Sequence, residues 1–211
     1  MGGGMGTGPG TGIRRVARDD EKAVEAAVRL LDEAFQDDPV SSWVFPDPVH
    51  RRERHPHLMR AFLEIALDEG HADLAEDGTA TALWLDVPAE AEEDPEDEEE
   101  GPAQLRAAVD PENERVELIG RLTASVHPHG RAHRYLLLIA VAPDRQGQGA
   151  GAALIAPVLA ECDREGVPAY LEASSARSAV LYERLGFTHL GEPLRLPDGP
   201  LMYPMWREPR G

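Results

Sequence analysis

The stretch VAPDRQGQGAGAAL, Val141 to Leu154, sets Gly147, Gly149 and Gly151 at alternate positions between an apolar run and an apolar helical pattern. A strand that breaks into glycine and re-forms as a helix leaves the first N–H groups of that helix unpaired and aimed at one spot, which attracts an anion such as phosphate. The plain alternative is a tight turn that holds no ligand. Two further residues have types suited to proton transfer: Glu172, at the end of the next predicted strand, and Tyr182, in the helical stretch after it. Cys162 lies within the amphipathic pattern that follows the glycines and reads as a small buried apolar residue. His127, His129 and His133 surround Pro128 and Gly130, a loop without the fixed geometry a metal site needs, so they read as solvated and no metal is expected. His50, His55 and His57 read as equally loose.

Three phosphate-binding readings compete for the glycines. The P-loop pattern needs a Lys directly after its last Gly, and none stands near. A dinucleotide fold fits better, because Gly147, Gly149 and Ala152 match G-x-G-x-x-A and Glu172, twenty residues on, could take a ribose hydroxyl of NAD(P). However, the polar Asp144-Arg145-Gln146 intervenes after the strand, and only 59 residues follow Ala152, too few for a second mononucleotide-binding half. The third reading needs a single pyrophosphate whose long thiol arm leaves along the preceding strand.

The elements that must position these residues can be read from periodicity. Ile13 to Ala17 is an edge-strand pattern, and Asp19 or Asp20 can cap a helix whose apolar positions Ala23, Ala27, Leu30, Leu31 and Ala34 share one face. A second helix is predicted from about Val49 to Asp68, then two strands joined at Asp77-Gly78, a favoured hairpin pair. Two helical patterns precede His133 to Pro143, whose unbroken apolar run is typical of a buried central strand. After the glycine loop come a helix to about Glu165, the strand VPAYLEAS, a short helix stopped by Gly186, and two last strands at Phe187 to Gly191 and Leu201 to Trp206. Strand, glycine loop, helix, strand is a right-handed crossover, so this half is α/β with a parallel strand pair.

The same residues resemble the GCN5-related N-acetyltransferase (GNAT) family. Gln146-x-x-Gly149-x-Gly151 matches its Q/R-x-x-G-x-G/A signature, and LYERLGF, Leu181 to Phe187, resembles its other common C-terminal string. RDDEKAVEAAVRLLDEAFQDDP, ATALWLDVP and DREGVPAYLEASSARSAVLYERLGF look like the puromycin N-acetyltransferase branch. The resemblance implies one α/β domain over residues 13–208, with a mixed central sheet of about six to seven strands, a splayed central strand pair, flanking helices and a helical insertion before the central strand. It implies acetyl-CoA as co-substrate and direct transfer of acetyl to a small-molecule primary amine. The pyrophosphate would sit on Gln146, Gly147, Gln148, Gly149, Ala150, Gly151 and Ala152, with glycines so that no Cβ blocks the backbone. Pantetheine would follow the free edge of Ile139, Ala140 and Val141, and the Val141 N–H would polarise the thioester carbonyl.

By resemblance Tyr182 is the general acid near the sulfur, and Glu172 a general base or a carboxylate that relays through water. The alternatives are a core tyrosine and a solvated rim carboxylate. Where the branch usually has Arg-Asn, this chain has Arg177-Ser178, so Ser178 either contacts the cofactor in place of the amide or caps the helix. Trp43, Phe45 and Trp84 are candidates for the acceptor pocket, with core packing as the alternative.

Charge and composition bound the rest. The net charge of −18 comes from 39 acidic and 21 basic residues, and nine of the acids crowd into Glu90 to Glu100. Such a balance argues against nucleic acid, which is held by Lys and Arg. The acidic stretch within 87–101 is expected to be a disordered loop, as are the glycine-rich residues 1–12. A rival function follows from that loop: a non-catalytic coenzyme A binding module in which it recruits a basic partner. One cysteine excludes an intrachain disulfide, and the first residues lack the basic and apolar regions of a secretion signal, so the expectation is a cytoplasmic protein, monomer or homodimer, without a membrane segment.

Overall fold

The computed structural model describes residues 12–89 and 95–211. The glycine-rich tail expected at 1–12 therefore lies, apart from Gly12, outside the described residues, as does the segment 90–94.

Among the described residues eight strands form a mixed sheet. In chain order they are β1 (Ile13–Arg15), β2 (Gly70–Ala75), β3 (Ala80–Val87), β4 (His133–Val141), β5 (Ala169–Ala173), β6 (Thr188–His189), β7 (Leu194–Arg195) and β8 (Leu201–Arg207). Across the sheet the order is β1-β2-β3-β4-β5-β8-β6, and the short β7 adds to β8. All neighbours are antiparallel except β4 and β5.

Helices cover both faces. On one side pack α1 (Glu21–Phe35), α2 (Pro39–Val44), α3 (Pro48–Glu69) and the pair α4 (Pro95–Val109) and α5 (Glu114–Ala124). The other carries α6 (Ala150–Glu165) and α7 (Ala176–Arg184). Asp20 caps α1 by accepting from the Ala23 N–H at 3.1 Å. The pair α4 and α5 is the insertion expected before the central strand. The acidic stretch expected as a loop from 87 to 101 behaves otherwise at both ends: Val87 closes β3, and from Pro95 the chain is already helical.

Two irregularities shape the centre. Between β3 and β4 the register passes from Leu83↔Leu138 to Trp84↔Leu136, so Leu137 is an extra residue, a bulge that bends β4. Between β4 and β5 the pairing stops after Arg134↔Ala169 and Tyr135↔Tyr170, although β4 runs on to Val141. The remaining residues of β5, Leu171 to Ala173, pair with β8 alone. A wedge therefore opens between the two parallel strands, the splay implied by the resemblance.

Candidate active site

The glycine loop closes the wide end of this wedge. Pro143–Arg145 make a short 3-10 turn, and α6 starts after Gly149, which occupies the left-handed region with φ 85°. Gly147 has φ 74°. A Cβ at either position would meet no protein atom, so within the chain itself it is backbone conformation that calls for glycine there. At Gly151 crowding does apply, because a Cβ would lie 3.3 Å from Val141 Cγ2 and 3.4 Å from Ile139 Cδ1. The first turn of α6, Ala150 to Ala152, has no side-chain cap and no acidic residue, so its amides and the positive end of its dipole stay available to an anion. Exposed Arg145 adds a positive charge, and a cavity of about 330 Å³ runs from Gln148, Gly149 and Ala150 to the β2–β3 hairpin at Ala75, Asp77 and Thr79, not toward β5.

The backbone of β4 presents its free edge to the wedge. Ala142 donates its N–H to Thr79 O at 2.8 Å, toward β3. Strand alternation then turns the N–H and C=O groups of Val141 and Ile139 away from β3, and Ala140 back toward it. Consistent with this, Val141 O accepts from Gln146 Nε2 at 3.3 Å rather than from a strand neighbour. The two signature residues Gln146 and Gly151 thus both bear on Val141. Gln148 is spent locally, donating to Asp144 O at 3.0 Å.

On the face opposite α6 and α7 lies Glu172. Its neighbours Leu171 and Ala173 point into the α6 and α7 core, so alternation sends Glu172 and Tyr170 the other way. Both carboxylate oxygens are occupied: Tyr135 Oη donates to Oε2 at 2.7 Å and Tyr170 Oη to Oε1 at 2.9 Å. Burial pushes its pKa up to about 7, against the two tyrosine donors, which pull it down. A carboxylate committed to tyrosines on that face is not a ribose ligand for a loop at the start of α6, and the antiparallel β5/β8 pair is not a doubly wound sheet. The dinucleotide reading is overturned on both counts.

Tyr182 stands on the other face, in α7, 7% exposed and packed edge-on against Phe187 at 5.9 Å between ring centroids. Desolvation raises its pKa, so the phenol keeps its proton at neutral pH. Ser178 is not free for a cofactor. Ser175 is the N-cap of α7, its Oγ accepting from Ser178 N at 3.2 Å, and Ser178 Oγ reciprocally accepts from Ser175 N at 3.2 Å.

Several side chains read as loose or as pocket-lining are structural instead. Trp84 and Phe45 are fully buried, and Trp43 donates its Nε1–H to Pro197 O at 2.8 Å. His55 is fully buried between Asp32 Oδ1 at 2.7 Å and Ser41 Oγ at 3.1 Å, and ties α1, α2 and α3 together. His50 reaches Asp110 Oδ2 at 2.6 Å. His133 lies inside β4 and 3.0 Å from His127, Nε2 to Nε2, so these two are not solvated loop residues. The loop pattern H-P-H-G hid this, since the His133 partner is supplied only when the loop folds back. Tyr135 and Tyr170 carried a signal that could have been read: Tyr170 sits two positions before Glu172 on the same strand face.

The model of the Acetyltransferase (GNAT) family matches residues 73–187. An uncharacterised N-acetyltransferase of Schizosaccharomyces pombe is 40% identical over 55 residues, which is 26% of this chain and only 22% of the yeast protein's length. Among solved structures, a histone acetyltransferase HPA2 and related acetyltransferase from Corynebacterium glutamicum superposes with TM-score 0.68 at 27% identity, covering 94% of this chain and 96% of that one. The Drosophila melanogaster polyamine N-acetyltransferase has TM-score 0.65 at 16% identity, covering 93% and 98%, a likeness of fold.

Proposed function

The chain belongs to the acetyltransferase (GNAT) family, and from this we propose that it transfers the acetyl group of acetyl-CoA to a primary amine of a small molecule by direct attack in a ternary complex. The observation that carries the reading is the wedge between β4 and β5, with the uncapped start of α6 at its wide end and a carboxylate with a pKa of about 7 by its apex.

The residues fit coenzyme A. Amides of Gly147 to Ala152 and Arg145 suit a pyrophosphate, and the unpaired edge at Ile139 and Val141 suits the amide-bearing pantetheine arm. Acetyl-CoA supplies the activated thioester. Glu172, ionised above about pH 7, takes the proton from the acceptor's ammonium nitrogen, directly or through a water. The Val141 N–H faces the wedge as a donor for the oxygen that gains charge. Tyr182 holds the proton that the departing sulfur needs. Ser178, committed to its capping box, takes no part.

The acceptor is a cationic small amine. The acidic balance of the chain favours a cation, and the fold is shared with an enzyme named for polyamines. Puromycin follows from the sequence resemblance to that branch. A panel of primary amines assayed by thiol release from acetyl-CoA tests the reading. The expected outcome is release that depends on the amine. Binding of coenzyme A with no amine-dependent release would favour a non-catalytic binding module.

A further inference from the structure

The cluster around Glu172 contains more than a base needs. Two tyrosines from adjacent parallel strands each give a hydroxyl to a different carboxylate oxygen, at 2.7 and 2.9 Å, so the carboxylate is fixed in rotation as well as in position. Tyr135 and Tyr170 are the last registered pair before β4 and β5 part, so the clamp sits at the apex of the wedge.

The groups packed around this clamp carry no compensating positive charge. From the loop after α5, the His127 ring stands edge-on to Tyr135 at 4.9 Å and to Tyr170 at 4.8 Å. From β4, His133 lies 5.9 Å from Tyr170. His133 donates its Nδ1–H to Arg131 O at 2.7 Å, so its Nε2 is the acceptor and His127 the donor between them. Burial lowers both, His127 to about 4, and both are neutral near pH 7. From β8 comes Trp206, which is uncharged; Arg131 stacks on it at 5.3 Å but is itself paired with Glu208, and beyond β5 Asp38 accepts from Ser174 Oγ at 2.7 Å. Among the described residues the two phenols are the side-chain donors that stabilise the ionised carboxylate, beside the backbone N–H of Glu172 itself.

We propose that Tyr135 and Tyr170 are positioning residues, which hold Glu172 as an oriented carboxylate at the apex of the wedge and so set the pH at which it can accept the amine's proton. This rests on Glu172 acting as the base. Each hydroxyl is a hydrogen bond to a charged acceptor, and its loss leaves burial less opposed. The proton taken from the amine goes to a free lone pair of Glu172 and returns to water, with both phenols retaining their own.

The test is the pH profile of kcat/KM in Tyr135→Phe and Tyr170→Phe, which keep the rings and remove only the hydroxyls. Each is expected to move the acidic limb upward by about one pH unit, with the high-pH plateau within a few-fold of wild type. Residues that merely filled space would leave the limb in place, whatever the plateau, and that would overturn the proposal. Glu172→Gln, measured alongside, judges the base itself: a wild-type rate and limb in that variant removes Glu172 from catalysis. Should that occur, or should a Phe variant be too unstable to assay, carbon-13 titration of the Glu172 carboxyl in wild type and in the other Phe variant still decides the clamp. An upward shift supports it; an unchanged midpoint overturns it.

Discussion

At Glu172 two effects oppose one another. Burial disfavours its charge and two phenols favour it, and the balance near 7 suits a group that must accept a proton at neutral pH and give it up again. Tyr182 meets burial without a charged neighbour, so its proton is held more firmly than that of a free tyrosine. At neutral pH it can therefore serve as an acid and not as a base. Tyr182→Phe is expected to lower kcat by about 100-fold with the affinity for acetyl-CoA unchanged, read from steady-state rates and calorimetry. Unchanged turnover would remove Tyr182 from the proton path.

Among the elements, the start of α6 depends most on a single position. Gly149 lies in the left-handed region and its neighbouring amides have no other cap. Gly149→Val places a β-branched residue at φ 85°, at a cost of about 1 to 2 kcal/mol, which the helix meets by shifting its first turn. Calorimetry should show weakened coenzyme A binding with the fold retained; full affinity would mean the cradle lies elsewhere. The short helix α2 shows the opposite design, with both ends fastened. Asp38 caps it by accepting from Val40 N and Ser41 N, and also accepts from Ser174 beside the site. At its other end Arg115, Asn113 and Arg51 donate to the carbonyls of Trp43, Val44 and Phe45. The helical insertion therefore holds α2 in place.

This division explains what the sequence made legible. The long periodic helices α1, α3 and α6, the hairpin at Asp77-Gly78 and the central strand follow from local pattern, and each lies within a few residues of its expected place. The helix α2 and the strand β7 are too short for periodicity to register, and tertiary fastening makes them, whereas β6 falls within the strand expected at Phe187 to Gly191. The glycine signature and Tyr182 were visible because their chemistry is local to one turn. The tyrosine clamp was not, because Tyr135 and Glu172 lie 37 residues apart and meet only through the parallel pairing of β4 and β5. The histidine pair was misread for the same reason.

For the molecule as a whole, the C-terminal strand is the closing fastener. Arg207, 3% exposed, forks onto Asp163 of α6 with two bonds of 2.8 Å and also donates to Leu185 O at the end of α7. The helices α6 and α7 are thereby tied to β8. Asp163→Ala strands the buried guanidinium and is expected to cost about 3 kcal/mol in chemical denaturation, the lower end for a broken buried pair because Asp163 is one-quarter exposed. The bond from Arg207 holds Asp163 down to about 2, below its ordinary 3.8. Its contribution is thus complete above about pH 4 and disappears as the pH falls through about 2, a loss that the Ala variant should not show.

The fold, the wedge and the clamp converge on one chemical claim, that an amine is deprotonated at Glu172 and acetylated across the gap between β4 and β5. Thiol release from acetyl-CoA with a reactive primary amine, followed against pH in wild type and in Glu172→Gln, tests it most directly. The expected result is amine-dependent release whose kcat/KM rises through an acidic limb near pH 7 in wild type, with the rate down by about 100-fold or more and the limb gone in the variant. Equal rates and the same limb in both proteins would contradict it.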